Sequence, residues 1–314
     1  MNFNGIFKEE LLNYIEYKEK CNQCIYTNKI RMIEFDKYTI SINLQKKLFT
    51  KELVINFINS HINISGSTKS LYASCMRQFG IYLSRYYDDA YILPYKYFKR
   101  NYNFIPYIFS EEEIEKIFNT IKVTYTSFPK KQEQIYLIFK ILFSTGMRIS
   151  EVLNLKRKNI DYKNNTIYIE NTKNKTDRLL PISESLIQEL YNFDKKYNDK
   201  YEYFFERNYH QKYYNDLFYI VFRNIIFKAK IMRTNTGPRV HDIRHTFAVN
   251  SFRKAINNNE DINYFLPLLS AYLGHNDIKS TYKYLHLTIT IFPKIREKVE
   301  NIIDLRKEIN YEEL

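Results

Sequence analysis

A helical pattern stops between Lys99 and Ser110, and a different one starts there. Pro106 sits in the gap, and Ser110-Glu111-Glu112-Glu113 has the form of a capping box, in which a serine and the glutamate three residues on satisfy each other's backbone N–H groups. A chain of 314 residues has room for two cores, since domains usually run to ~100–200 residues. The reading is therefore two domains, 1–105 and 106–314, meeting at that gap.

Before the gap, apolar residues recur at three- and four-residue steps. From Ser70 to Tyr86 the stripe is Leu71, Cys75, Phe79, Tyr82 and Leu83, and between Leu48 and Ile62 it is Leu53, Val54, Phe57 and Ile58. Two such helices pack naturally into a small bundle. With Lys69, Arg77 and Arg85 interspersed, the bundle either carries solvated cations or grips DNA. After the gap, helices are predicted at about 111–121 and 132–143; the second is the most hydrophobic in the chain and runs into Thr145-Gly146. Thr166 to Glu170 alternates like a strand, Arg178 to Ile182 reads as its partner, and the polar turn between them spans Asn171 to Asp177. The expected class is mainly α with a small antiparallel β-hairpin, an α+β fold.

The charge balance is +13, which suits a polyanionic partner. An AT-rich coding sequence would give the same Lys, Asn, Ile and Tyr abundance, so the charge does not decide the matter. Cys21 and Cys24 form a Cys-x-x-Cys pair with no second pair at zinc spacing, and with Cys75 they read as reduced structural thiols. No stretch reaches the ~18 apolar residues that a bilayer requires, and the N-terminus lacks a leader pattern, so the expectation is a cytoplasmic protein.

Chemistry concentrates elsewhere. Of six histidines, His241, His245, His275 and His286 fall in one C-terminal stretch, and His241 and His245 lie one helical turn apart with Arg244 between them. Among 30 tyrosines, Tyr284 stands nine residues after His275. Breaking a phosphodiester with a phenol needs an in-line nucleophile, cations for the transition state and a proton donor for the departing alcohol. Arg148 and Arg244 offer planar forks that bind phosphate oxygens and stay charged. There is no His-Glu-x-x-His and no paired carboxylate cluster, so neither metal nor cofactor is expected.

The words Ser-Thr-Gly-Met-Arg-Ile-Ser-Glu at 144–151, His-Asp-Ile-Arg-His-Thr-Phe-Ala at 241–248 and Leu-Gly-His at 273–275 resemble the tyrosine recombinase (phage integrase) family, as does the set Arg148, Lys173, His241, Arg244, His275 and Tyr284. The likeness covers about 110–287 and is similar to compact Xer-like and transposon or plasmid recombinases. It implies a helical core-binding domain at 1–105 and a catalytic domain at 106–314 that together close as a C-shaped clamp on DNA. It implies that Tyr284 attacks the scissile phosphate to give a 3′-phosphotyrosyl link, independently of metal and ATP. Arg148 and Arg244 would hold the phosphate, with His275 donating to the same oxygens. His241 would accept or shuttle the phenol proton, and Lys173 would protonate the leaving 5′-oxygen. Lys175 shares the turn and is the alternative to Lys173.

Around that set, Glu151 one turn beyond Arg148 is either an orienting carboxylate or a surface charge, and His245 is a further neighbour. Tyr282 reads as packing and His286 as a structural or solvated neighbour. The partner implied is a double-stranded recombination site, engaged by a tetramer. The apolar rhythm of 291–314 suits a helix that docks on a neighbouring protomer or folds back on its own domain. A type IB topoisomerase, or a silent DNA-binding regulator of the same fold, are the alternative functions.

Overall fold

The computed structural model describes residues 3–21, 26–95, 97–98, 105–170, 177–197, 201–207, 211–232, 234 and 237–292, the first two residues of 26–95 by backbone alone. The chain divides into two compact units, Met1–Phe104 and Ile105–Leu314. Among the described residues, twelve α-helices and one three-stranded antiparallel sheet are formed. No described helix is long and apolar enough to cross a membrane.

The first unit holds α1 (Lys8–Lys20), α2 (Tyr26–Ser41), α3 (Lys51–Ser60) and α4 (Gly66–Leu83). Thr50 caps α3 and Ser65 caps α4, each hydroxyl accepting from a backbone N–H three residues on. The core is an aromatic cluster in which Phe7, Phe35, Phe49, Phe57 and Phe79 pack mostly edge to face. Leu53, Val54, Phe57 and Ile58 are buried as the periodicity requires. The stripe on α4 is corrected at one position: Leu71 is 43% exposed, and Tyr72 and Met76 join Cys75 and Phe79 on the buried face. The buried arc sits one residue further round the helix than Leu71 implied. Burial pushes the Cys75 thiol up to about 12, which suits an inert packing role, while Cys21 is exposed.

In the second unit, α5 (Glu111–Thr124) starts with the capping box in place: Glu113 N–H donates to Ser110 Oγ at 3.1 Å and Ser110 N–H to Glu113 Oε2 at 3.0 Å. Next comes α6 (Pro129–Thr145), whose Ile135, Leu137, Ile138, Ile141 and Leu142 are buried, and then the short α7 (Ile149–Leu153). The sheet runs β1 (Ile160–Asp161), β2 (Thr166–Ile169), β3 (Arg178–Pro181), with Ile167 opposite Leu180 and Ile169 opposite Arg178. Its first strand is an addition to the hairpin read from sequence: two residues are too few to show alternation, and pairing with β2 defines them. Helices α8 (Glu184–Tyr197) and α9 (Asn215–Lys228) complete this core. A second apolar cluster forms where α10 (Val240–Asn257), α11 (Ile262–Leu273) and α12 (Lys279–Ile291) meet, with Tyr284 among its buried members.

Candidate active site

Two left-handed glycine turns build the frame. Gly146 ends α6 at φ +62°, where a Cβ would lie 2.4 Å from Phe247 Cδ1, so this turn requires both the backbone freedom and the missing side chain of glycine. Thr145 Oγ1 accepts from Met147 N–H at 3.2 Å, and two residues past the glycine Arg148 occupies the N-cap position of α7, its backbone N–H donating to Glu151 Oε2. Gly274 ends α11 at φ +68° and delivers His275. One arginine ties the two turns together. Arg244, on α10 and 2% exposed, donates from Nη1 to Gly146 O at 2.9 Å and from Nη2 to Leu273 O at 2.6 Å. Arg148 reaches the same loop, with Nη2 donating to Gly274 O at 3.1 Å. Burial, then the nearby Arg148 charge, lowers the Arg244 pKa to about 10, which still leaves it cationic near neutrality.

Tyr284 comes in from α12 and is 6% exposed. Its hydroxyl lies 3.1 Å from His245 Nδ1, and its ring stacks on His275 at 5.9 Å with 20° between the planes. Burial raises the phenol pKa, and the nearby Arg244 charge opposes this. His275 Nδ1 pairs with Thr281 Oγ1 at 2.8 Å, which sets the imidazole's orientation from the first turn of the helix that carries the tyrosine. His241 is solvent-exposed, edge-on to His245 at 4.7 Å, and beside it opens a cavity of about 470 Å³ lined in part by Tyr219, Arg223 and Arg239. All three histidines titrate below the imidazole norm. Burial followed by neighbouring cations takes His275 to about 4; burial followed by His241 takes His245 to about 3; and protein packed around the His241 imidazole, followed by Arg244, lowers His241 although its outer surface meets solvent.

The structure thus brings Arg148, Arg244, His245, His275 and Tyr284 around one spot, with His241 one ring further out. Sequence reasoning gave the phenol to His241; the group in contact with it in this structure is His245. Glu151 is buried and bound to two arginines, Arg148 and Arg178. Tyr282 is partly buried against the α10–α12 cluster, and His286 is half-buried with its pKa lowered by burial. Lys173, Lys175 and residues 293–314 lie outside the described residues. Among those described, no group of three His, Cys, Asp or Glu side chains could hold a metal ion.

Arg178 escaped the sequence reading. The signal was there in the strand alternation, which puts Arg178 on the same inward side as buried Leu180, where a charge requires a partner. Thr281 escaped as well, because a threonine on a helix carries no mark of the histidine it meets.

A family model described as "Phage integrase family" matches residues 108–290, more than half of the chain. The chain belongs to the phage integrase family. Among relatives in this family, "Tyrosine recombinase XerA" of Saccharolobus solfataricus is 31% identical over 183 residues, covering 57% of this chain and 52% of that protein. "Tyrosine recombinase XerC" of Staphylococcus saprophyticus is 25% identical over 298 residues, covering 90% and 88%. The aligned region spans 52 to 66% of the length of five such relatives. Among solved structures, a pre-cleavage complex of XerH recombinase with its difH substrate superposes with a TM-score of 0.63 at 24% identity, over 83% of this chain and 76% of that one. The Tn1549 transposon integrase with circular-intermediate DNA gives 0.63 at 15%, over 88% and 94%. At these identities the likeness is one of fold, and phage integrase membership rests on the family model.

Proposed function

We propose that this phage integrase family member is a site-specific recombinase that cuts and rejoins double-stranded DNA through a 3′-phosphotyrosyl intermediate. The observation that carries the reading is the position of the Tyr284 hydroxyl, held 3.1 Å from His245 Nδ1 with the charge of the buried Arg244 close by. In the forward step the phenol oxygen bonds to phosphorus and the bond from phosphorus to the 5′-oxygen breaks. The phenol proton leaves through the His241–His245 pair, with His245 holding the oxygen until DNA arrives and His241 accepting or passing on the proton. Arg148, Arg244 and His275 face the non-bridging oxygens, where fixed donors act on developing charge. Lys173, or its neighbour Lys175, protonates the departing 5′-oxygen. The ester conserves the energy of the broken bond, so a 5′-hydroxyl from a second strand reverses the step without ATP, and no part of the sequence calls for a metal.

The wider assembly follows the same reading: 1–105 forms the core-binding domain, 106–314 the catalytic domain, and four copies act on two duplexes with 291–314 available for exchange. The XerH and Tn1549 structures were solved with DNA, and the +13 charge and the cavity with Arg223 and Arg239 beside His241 suit a DNA backbone. The test is covalent trapping on a pool of nicked duplexes randomised over the site. Wild type is expected to yield a protein–DNA adduct with a recoverable consensus, and Tyr284→Phe none. An adduct with Tyr284→Phe would move the nucleophile elsewhere, and no adduct with wild type would leave a DNA-binding regulator.

A further inference from the structure

Glu151 is saturated by two arginines of opposite destinies. Its carboxylate is almost wholly buried and takes four donors: Arg148 N–H at 2.9 Å and Arg178 Nη2 at 2.8 Å on Oε2, with Arg148 Nη1 at 2.9 Å and Arg178 Nη1 at 3.1 Å on Oε1. Arg178 then donates from Nε to Tyr272 O at 3.0 Å, two residues before the glycine turn that delivers His275. Gly274 lies directly against this guanidinium, since a Cβ there would come within 2.7 Å of Nη1. A single side chain at the start of β3 therefore touches both the His275 turn and the carboxylate that holds Arg148.

We propose that Arg178 is a positioning residue for the reaction assigned above, keeping Arg148 available to phosphate by neutralising Glu151. This rests on the reading of Tyr284 as nucleophile. The charge count gives the reason. Arg148 and Glu151 alone sum to zero, so a phosphate approaching Arg148 meets a compensated ion pair. With Arg178 the three groups sum to +1, and Glu151 fixes the Arg148 backbone and one edge of its fork without cancelling its charge. Arg178 is the better placed of the two to serve as the permanent partner, because it forms the bidentate pair and is more buried than Arg148. A lysine could neutralise Glu151 but not span both carboxylate oxygens and Tyr272 O at once.

The experiment is single-turnover cleavage of a trapped site by wild type, Arg178→Met, Arg178→Lys and the double variant Glu151→Gln/Arg178→Met, each shown by circular dichroism to be folded at the assay temperature. Arg178→Met is expected to cleave on the order of 10 to 100-fold more slowly with DNA affinity within about 3-fold of wild type. Arg178→Lys should fall between. The double variant, which removes the uncompensated carboxylate, should cleave at least several-fold faster than Arg178→Met. A scissile methylphosphonate carries no negative charge to neutralise, so on it the gap between wild type and Arg178→Met should narrow. Equal gaps on both substrates, or a folded Arg178→Met within about twofold of wild type, would overturn the proposal while leaving Tyr284 as nucleophile. If wild type forms no adduct, the reading of the site falls, and this inference with it.

Discussion

The hydroxyl of Tyr284 and Nδ1 of His245 are 3.1 Å apart, although 39 residues separate them and neither points to the other in any local pattern. The contact exists because α10 and α12 pack side by side within one apolar cluster. Under the proposed mechanism it gives two adjacent histidines different work, which mutation tests. His241→Ala is expected to lower the cleavage rate by about 100-fold, the scale of losing a proton acceptor, and His245→Ala by about 10-fold through a loosened nucleophile. Single-turnover rates at saturating DNA read both. A His245→Ala rate equal to wild type would show that the contact does not serve catalysis.

Stability should depend on pH through the same histidines. His245 is lowered from 6.5 to about 3 and His275 from 6.5 to about 4, so the folded site refuses protons that the unfolded chain accepts. Their contribution is fully present above about 6.5 and is lost as pH falls from there through about 4 for His275 and about 3 for His245. Glu151, whose pKa is lowered because Arg178 and Arg148 outweigh the opposing effect of burial, adds a further loss at more acid pH. Urea midpoints at pH 7.5 and pH 5 are expected to differ, with the lower value at pH 5. His245→Gln should shrink the difference; an unchanged difference would remove His245 as a contributor.

Gly146→Ala should be costly. The left-handed backbone alone costs an L-residue roughly 1–2 kcal/mol, and crowding against the Phe247 ring adds about 1–3 kcal/mol. Because Gly146 O is an acceptor of Arg244, cleavage should fall as well. A thermal midpoint within a degree of wild type would contradict the account of this turn.

Thr281→Val keeps the shape of a fully buried side chain and removes the hydroxyl that pairs with His275. Leaving a buried polar group unpaired costs about 1–3 kcal/mol. Cleavage is expected to drop more than DNA affinity does, because the imidazole loses its fixed orientation. A Thr281→Ser variant should retain most activity, and failure of that rescue would point to packing instead.

Binding to duplex DNA should weaken steeply with salt. Each neutralised phosphate contributes a slope of about −0.9 in a log-log plot. A slope near zero, measured by titration between 50 and 200 mM salt, would be incompatible with a backbone-gripping enzyme.

Much of this protein is legible in its sequence alone. The capping box at Ser110, the apolar helix ending at Gly146, the hairpin pairing Ile167 with Leu180, and the neighbours His241, Arg244 and His245 are set by contacts within a few residues, which periodicity and turn chemistry reveal. Family words added Tyr284 and Arg148 to the same site. Tertiary structure decided what those residues touch: that the phenol meets His245 first, that Arg244 spans Gly146 O and Leu273 O, and that Glu151 belongs to Arg178 as much as to Arg148. Each of those bonds joins atoms 27 or more residues apart, across elements whose relative placement is fixed by packing of the buried core, and no local pattern records such a distance.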